Sequence, residues 1–319
     1  MATLPGNMRP LNPLRDLMAV ADLIELCFHG NIDAEGRSFL DDLRRSSRGS
    51  GFAGWAARTS DIASMPMSGF VWEDGGRIVG NVSLIPFYRQ GKRINLVANV
   101  AVHPDYRRRG IARQLTRRAM QAAQERSSHE TWLHVRDDNP GAISLYEELG
   151  WKEEARRTAW RAQPNQPVEP AQGNPQLYDG GMQYWAQLSE WFERAYPQSI
   201  RWYYSSYWEA FRPGLWHSFQ RFIGDVSLRE WSAYSAGRLS GALVAQFHPG
   251  RSTHLWAAIP PAGGEPALQA LLVQARTAIG VRNNLVLEFP ADEANDEIQR
   301  AGYTPLRTLI WMKAGQAAA

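Results

Sequence analysis

A strand, a loop and the start of a helix follow one another between Val100 and Ala112, and together they could bind an anion. The first turn of a helix has backbone N–H groups without intrahelical partners and a partial positive charge. Gly110 lets the backbone approach a ligand closely, and Ala112 keeps the first turn small. Four arginines add positive charge: Arg107, Arg108, Arg109 and Arg113. The stretch therefore predicts a phosphate or pyrophosphate site, with Arg113 placed one turn into the helix to reach a phosphate.

The same loop excludes two common phosphate-binding motifs. It has neither the Gly-Lys-Ser/Thr of a Walker loop nor the Gly-x-Gly-x-x-Gly of a dinucleotide loop. The chain has a formal net charge of only +3, so the arginines between residues 107 and 126 are a local concentration. A local basic patch on a nearly neutral chain favours one anionic ligand over a nucleic-acid track.

This stretch resembles the GNAT acetyltransferase superfamily, which carries Arg/Gln-x-x-Gly-x-Gly/Ala here, matched by Arg107, Gly110 and Ala112. A second family motif follows at the right distance, over residues 139–146: Asn-Pro-Gly-Ala-Ile-Ser-Leu-Tyr. Leu-Gly-Trp at 149–151 closes it. The clear resemblance covers about residues 69–160, with weaker support over residues 8–44.

The resemblance implies acetyl-CoA as co-substrate. It implies that the backbone amides from Arg108 to Ala112, which include those of Arg109, Gly110 and Ile111, hold the pyrophosphate. It also implies that the main chain of Val100, Ala101 and Val102 pairs with the pantetheine arm. In the second motif, Asn139 would contact that arm, and Tyr146 would lie near the thioester sulfur and protonate the leaving thiolate.

Amine attack on a thioester is consistent with these residues. The reaction needs an unprotonated amine, a polarised carbonyl and a proton for the departing sulfur. A tyrosine with a pKa near ~10 is protonated at neutral pH, as a general acid must be. Cys27 lies in a predicted buried helix and is a poor covalent carrier, which favours direct transfer in a ternary complex.

No proton acceptor is identified from the sequence. The predicted strand Ile94 to Val102 has no carboxylate, and Asn95 and Asn99 are its only polar side chains. His134 or His103 could accept a proton through water, or a bound amine could lose its proton to solvent.

The period of the apolar residues predicts the elements that hold these motifs. Predicted helices cover Leu14 to Phe28, Phe39 to Arg44, Gly110 to Arg126 and Gly141 to Leu149. Predicted strands cover Phe70 to Trp72, Arg77 to Tyr88, Ile94 to Val102, Thr131 to Val135 and Trp151 to Trp160. Residues 163–176 are rich in proline and polar residues and indicate a linker.

The second half repeats the first. Gly-Arg-Ile-Val-Gly at 76–80 is echoed by Gly-Arg-Leu-Ser-Gly at 237–241, and a similar order of strands and helices follows. We therefore predict an α/β (α+β) protein with two GNAT-like domains in tandem, each a mixed, mostly antiparallel sheet flanked by helices. The predicted domains are residues 1–162, which bind acetyl-CoA, and residues 177–319.

The second copy is predicted to be degenerate. Its loop at residues 259–267 contains Glu265 and Pro266 and no arginine, and Ile298 stands where the first copy has Tyr146. Ala291 stands at the position of Asn139. This copy would serve a structural or acceptor-recognition role. The aromatic-rich segment from Tyr184 to Trp231 could wall an acceptor pocket, but helical spacing of aromatics favours core.

Composition excludes several classes of protein. No run of apolar residues is long enough to span a membrane, and no basic and apolar leader opens the chain, so we expect a cytoplasmic protein. One cysteine excludes an intramolecular disulfide framework and a multi-cysteine metal site, and no metal is expected. The sequence thus predicts an N-acetyltransferase for a small-molecule or peptide amine, without nucleic-acid or membrane partners. Two alternatives are a CoA-binding sensor without turnover and a nucleic-acid adaptor that uses the arginine helix.

Overall fold

The computed structural model describes residues 7–32, 34–47, 68–89, 91–204, 211–213, 227–247 and 252–315. The chain forms two compact units. The first contains the described residues up to 154 together with 202–204 and 310–315, and the second contains those from 155 to 201 and from 211 to 309.

The first unit is a sheet with helices on both faces. Its strands are β1 (Met8–Pro10), β2 (Gly69–Asp74), β3 (Arg77–Arg89), β4 (Lys92–Val102) and β5 (Glu130–Arg136). Its helices are α1 (Pro13–Phe28), α2 (Ala34–Ser47), α3 (Ile111–Glu125) and α4 (Pro140–Glu148). The strands lie in the order β1-β2-β3-β4-β5, antiparallel up to β4, whereas β4 and β5 are parallel.

The second unit has the same plan. Its strands are β7 (Gln176–Asp179), β8 (Ser227–Ser235), β9 (Arg238–Phe247), β10 (Thr253–Ala258) and β11 (Leu285–Pro290), together with parts of β6 (Trp151–Ala162) and β12 (Tyr303–Ala314). Its helices are α5 (Trp185–Ala195), α6 (Glu265–Ile279) and α7 (Asn295–Arg300). The pair β10–β11 is parallel, whereas the pairs β6–β11, β9–β10, β8–β9 and β7–β8 are antiparallel. The predicted fold class is confirmed: each unit has a mixed, mostly antiparallel sheet flanked by helices.

The last strands of the two units are exchanged, which corrects the predicted boundaries of 1–162 and 177–319. Residues 155–162 of β6 lie in the second unit, where Trp160 is opposite Leu287 of β11. Residues 310–314 of β12 lie in the first unit, and their Ile310 and Met312 are 2% and 1% exposed in its core. The proline-rich stretch 163–175 contains neither helix nor strand. A boundary drawn from local composition cannot detect this exchange, because strand pairing joins residues far apart in the chain.

Helix α3 packs on one face of the first sheet through small and branched side chains. Its Leu115, Ala119 and Ala123 are fully buried. Gly80 of β3 makes this close approach feasible, because a Cβ there would lie 2.9 Å from Ile111 and 3.0 Å from Leu115. Helices α1 and α2 pack on the other face, against Val71 and Ala101.

The predicted elements between residues 69 and 160 are all present, with ends shifted by a few residues. Strands β1 and β7 were not predicted, since three and four residues are too short for a recognisable period. The aromatic-rich segment from Tyr184 to Phe222 contains α5 and a 3-10 helix at Gln198–Tyr203. Its residues 205–210 and 214–222 lie outside the described part of the chain.

Candidate active site

Strands β4 and β5 separate part-way along their length. Their register pairs run from Ile94 opposite Glu130 to Val97 opposite Leu133, and the described register ends there. Beyond this point β4 continues beside β3, with Ala101 opposite Asn81 and Val102 opposite Gly80. The edge of Val100 to Val102 that faces away from β3 thus borders an opening, which we call the split. The main chain at such an edge can pair with an extended ligand as with another strand.

A β-bulge lies in β4 beside the split. The register with β3 shifts between Asn81 and Ser83, and Asn99 has a left-handed φ of +52°. Asn81 Nδ2 donates a hydrogen bond to the carbonyl of Asn99 (2.9 Å). Asn99 Nδ2 donates one to the hydroxyl of Ser83 (3.2 Å). Asn81 and Ser83 are both fully buried, and these two hydrogen bonds fix the conformation of the bulge.

The loop before α3 presents backbone N–H groups. Gly110 caps the helix with a φ of +76°, and Arg108 also has a left-handed φ, of +63°. Within the described part of the chain, the N–H groups of Arg108, Arg109 and Gly110 donate no hydrogen bond. Successive N–H groups of this kind at the start of a 15-residue helix fit a diphosphate. Ile111 and Ala112 form the first turn that follows them.

The predicted arginines have different surroundings. Arg107 Nε donates to the carbonyl of Val102 (3.2 Å), and Arg109 donates to the carbonyl of Asp105 (2.8 Å). Arg108 is exposed and has no polar contact among the described residues. Arg113 forms an ion pair with Glu148 of α4, so a phosphate would have to compete with that carboxylate. Sequence reasoning missed this pair, since the two residues are on different helices.

Helix α4 positions both residues of the second motif. Asn139 caps it, because its Oδ1 accepts a hydrogen bond from the N–H of Ala142 (3.2 Å) and Pro140 follows at the first helical position. Tyr146 is 6% exposed and lies in the core between α3 and the sheet, 6.4 Å from Trp151 between ring centroids. Burial raises the pKa of Tyr146 well above its ordinary value of 10. The phenol is therefore protonated at neutral pH.

The two candidate histidines both make close contacts. His103 Nε2 lies 2.9 Å from the guanidinium of Arg77, and Nδ1 lies 3.3 Å from the N–H of Asp105. Both ring nitrogens thus face N–H donors, the guanidinium of Arg77 and the backbone of Asp105, which favours a structural role. The ring of His134 packs against Tyr203 and Trp311, at centroid distances of 4.9 and 4.0 Å.

Cys27 lies closer to the site than predicted. It is half-buried rather than buried, and its thiol donates to the carbonyl of Val102 (3.3 Å), the group that Arg107 also contacts. Burial raises the pKa of the Cys27 thiol, although Arg107 works in the opposite direction. A neutral thiol is a weak nucleophile, which agrees with direct transfer.

Aromatic residues from the second half of the chain belong to the first unit, and sequence reasoning did not place them there. Trp202 lies 5.0 Å from Phe87 and 5.7 Å from Trp132, and Tyr203 lies 5.0 Å from Trp311. The density of aromatics in this segment indicated that it is buried. It did not indicate where, because the partners on β3 and β5 are remote in sequence.

The corresponding split of the second unit is filled by a side chain. Strands β10 and β11 pair as far as Leu255 and Leu287. Just beyond, the N–H of Ala257 donates to the hydroxyl of Tyr196 (3.1 Å), which is 1% exposed. A main-chain donor that could pair with a ligand arm is thus used within the protein.

The described residues contain neither a candidate metal site nor a candidate membrane-spanning helix. No group of three or more His, Cys, Asp or Glu side chains there could hold a metal ion. No described helix is long and apolar enough to cross a membrane.

Comparison with known proteins places the site in a family. Residues 36–151 match the sequence model described as Acetyltransferase (GNAT) family. A similar protein is the [Ribosomal protein bS18]-alanine N-acetyltransferase of Escherichia coli (strain K12), 44% identical over 55 residues. That match covers 17% of this chain and 37% of the relative, so the chain spans just over a third of the relative's length.

Solved structures share the two-unit fold. A GCN5-related N-acetyltransferase from Sphaerobacter thermophilus has a TM-score of 0.58 at 17% identity, covering 98% of this chain and 96% of its own. A tandem GNAT protein from the clavulanic acid biosynthesis pathway has a TM-score of 0.51 at 18% identity, covering 98% and 99%. At these identities the likeness establishes the tandem fold alone.

Proposed function

Since residues 36–151 match the GNAT acetyltransferase family, we propose that the chain transfers the acetyl group of acetyl-CoA to a primary amine by direct attack in a ternary complex. One observation carries the proposal: the free N–H groups before α3 lie just after Val102, where β4 borders the split. A diphosphate on those donors would leave the attached arm to run along Val100 to Val102. The exposed Arg108 adds charge, and Asn139 lies at the start of α4, where its amide nitrogen could contact the arm.

The chemistry follows from this placement. The amine nitrogen attacks the thioester carbon, a C–N bond forms, and the C–S bond breaks. The amine gives up one proton to solvent or to a base, and the thiolate takes one from the hydroxyl of Tyr146. The resulting phenolate is then reprotonated from solvent, which restores the acid. The products are an acetamide and the free thiol of CoA. Tyr146 suits the acid role because burial keeps it protonated.

The acceptor is proposed as the amine of a small molecule or a peptide. A relative that acetylates an alanine of a ribosomal protein makes a peptide α-amine a natural first probe. We further propose that the second unit binds no CoA, because Tyr196 occupies its split. A cytoplasmic location is a prediction from the sequence alone.

The proposal is tested by calorimetry with CoA and by thiol release from acetyl-CoA with a panel of amines. We expect CoA to bind with a stoichiometry of one per chain and thiol release to depend on both substrates. Absence of heat with CoA would refute the proposal.

The second candidate is a CoA-binding sensor without turnover. It is favoured by β4, whose described residues include no carboxylate to accept the amine's proton. CoA binding without amine-dependent thiol release across small amines, amino acids and peptides would support it.

A further inference from the structure

The two faces of the sheet differ at the split. Val82, Val97 and Leu133 belong to the core that contains Ile111 and Leu115 of α3. Because side chains alternate along a strand, Ser83 on β3 and His134 on β5 point to the opposite face. Asn99 is on that face too, since its side chain bonds Ser83. Helices α1 and α2 pack on this face against Ala101, whereas Asn99 is only half-buried, so its side chain is open to a second reactant.

Hydrogen bonds fix Asn99 in an orientation that leaves its side-chain oxygen available to a ligand. It is a non-glycine residue at φ +52°, a conformation that Asn tolerates better than most residues. Asn81 holds its carbonyl and Ser83 holds its Nδ2. Asn99 itself is half-exposed, and among the described residues its Oδ1 has no hydrogen-bond partner. The side-chain carbonyl is thus oriented by two buried residues and left open.

We propose that Asn99 Oδ1 accepts a hydrogen bond from the acceptor's amine and holds it beside the thioester, with Asn81 and Ser83 as positioning residues. This assignment rests on the proposed function. A carboxylate at the same position could also take up the amine's proton. The amide oxygen of Asn99 carries no charge and cannot take up a proton at neutral pH, so it only positions the amine.

The neutral oxygen indicates the class of acceptor. It does not stabilise an ammonium ion as a carboxylate would, so the amine has to bind largely in its free form. At about pH 7.5 roughly a third of a peptide α-amine is unprotonated, but only about one in a thousand lysine ε-amines is. We infer that the acceptor is an amine of low pKa, such as the α-amine of a peptide.

The first test replaces Asn99 without disturbing the bulge. Glycine adopts a left-handed φ freely, so Asn99→Gly keeps the backbone and removes the amide. We expect the KM for an alanine-initiated tetrapeptide to rise about 10-fold, and the KM for acetyl-CoA to change less than about twofold. Asn284→Gly is the matched control, because Asn284 has a φ of +49° and also donates to a serine, Ser252, within the second unit. An unchanged peptide KM, or an equal rise in both KM values, would overturn the proposal.

The second test changes the charge. Asn99→Asp keeps the shape and places a carboxylate beside the amine. We expect the ratio of kcat/KM for Nα-acetyl-lysine methylamide over the alanine peptide to rise about 10-fold, with the acid limb of the pH profile moved to lower pH. A ratio and a pH profile identical to those of the unsubstituted protein would contradict the assignment.

Crystals of the unsubstituted protein with CoA and the alanine peptide give a readout independent of turnover. We expect the peptide nitrogen within hydrogen-bond distance of Asn99 Oδ1. If CoA is bound and the nitrogen lies elsewhere, the role of Asn99 fails while the proposed function stands. If CoA does not bind, the proposed function fails, and the role of Asn99, which rests on it, fails with it.

Discussion

Tyr146 and Asn99 have different surroundings. Tyr146 is enclosed by the core of α3 and is kept protonated by burial. Asn99 is half-exposed and held by hydrogen bonds from beneath. In the proposed reaction, Tyr146 would supply the proton for the sulfur and Asn99 would hold the amine.

Tyr146→Phe should therefore lower kcat by about 100-fold or more and leave the Kd for CoA within about twofold, because only the proton donor is removed. Stopped-flow thiol release and calorimetry measure the two quantities. Tyr303→Phe, at a buried tyrosine of the second unit, is the control. Full activity in Tyr146→Phe would exclude the phenol as the acid.

Buried tyrosines also predict how stability responds to alkaline pH. Burial raises the pKa of Tyr196 to about 12 and raises that of Tyr146 further. In the unfolded chain these groups ionise near pH ~10. Below pH ~10 these groups leave the free energy of unfolding unchanged. Above it, only the unfolded chain releases the protons, so the free energy of unfolding falls by up to about 1.4 kcal/mol per pH unit for each tyrosine.

Urea unfolding at several pH values above 9 measures this slope. Tyr146→Phe should reduce it, whereas Tyr88→Phe should not, because Tyr88 is 63% exposed. An equal slope in both variants would show that other groups cause the loss.

Helix α3 and the loop before it are the element on which the proposed CoA binding depends. Gly110 is needed there for its backbone conformation and not for space, since a Cβ at Gly110 would have its nearest neighbour, Gln114 Nε2, 4.0 Å away. Its φ of +76° costs a non-glycine residue about 1–2 kcal/mol.

Gly110→Ala should raise the Kd for CoA about 10-fold, because relief of that strain turns the N–H groups away from the diphosphate. Calorimetry measures the change. Gly91→Ala is matched in conformation, with a φ of +74° and no heavy atom within 4 Å of the new Cβ, but lies in the turn between β3 and β4. Equal Kd values for the two variants would refute a role for the loop in CoA binding.

The start of a helix is predictable from the sequence because the residues that determine it are adjacent in the chain. Gly110 before an amphipathic run predicted the start of α3, and Asn139-Pro140 predicted the cap of α4. Contacts between elements were not predictable in this way. The ion pair of Arg113 with Glu148 and the packing of Tyr203 on His134 depend on pairings that no local pattern records.

At the scale of the whole molecule, the exchange of β6 and β12 means that each unit contains a strand segment from the other half of the chain. Ile310 and Met312 lie in one core with Val97 and Leu133, more than 170 residues earlier. A single domain boundary near residue 162 therefore does not describe either unit.

Ile310→Ala should destabilise the first unit by about 2–5 kcal/mol, since it removes a fully enclosed branched side chain. Hydrogen exchange of β5 and α3 amides reports on that unit directly. Val168→Ala is the control, because Val168 is 44% exposed. Unchanged protection of β5 in Ile310→Ala would contradict the exchange.

The exchange also bears on synthesis of the protein. A ribosome translates from the N-terminus, so the half that holds the proposed catalytic residues emerges long before residues 310–314 do. Until residues 310–314 have emerged, β5 lacks its neighbour β12, and the nascent chain exposes a strand edge open to unwanted association. A chain terminated before residue 310 would lack the strand that closes the first core.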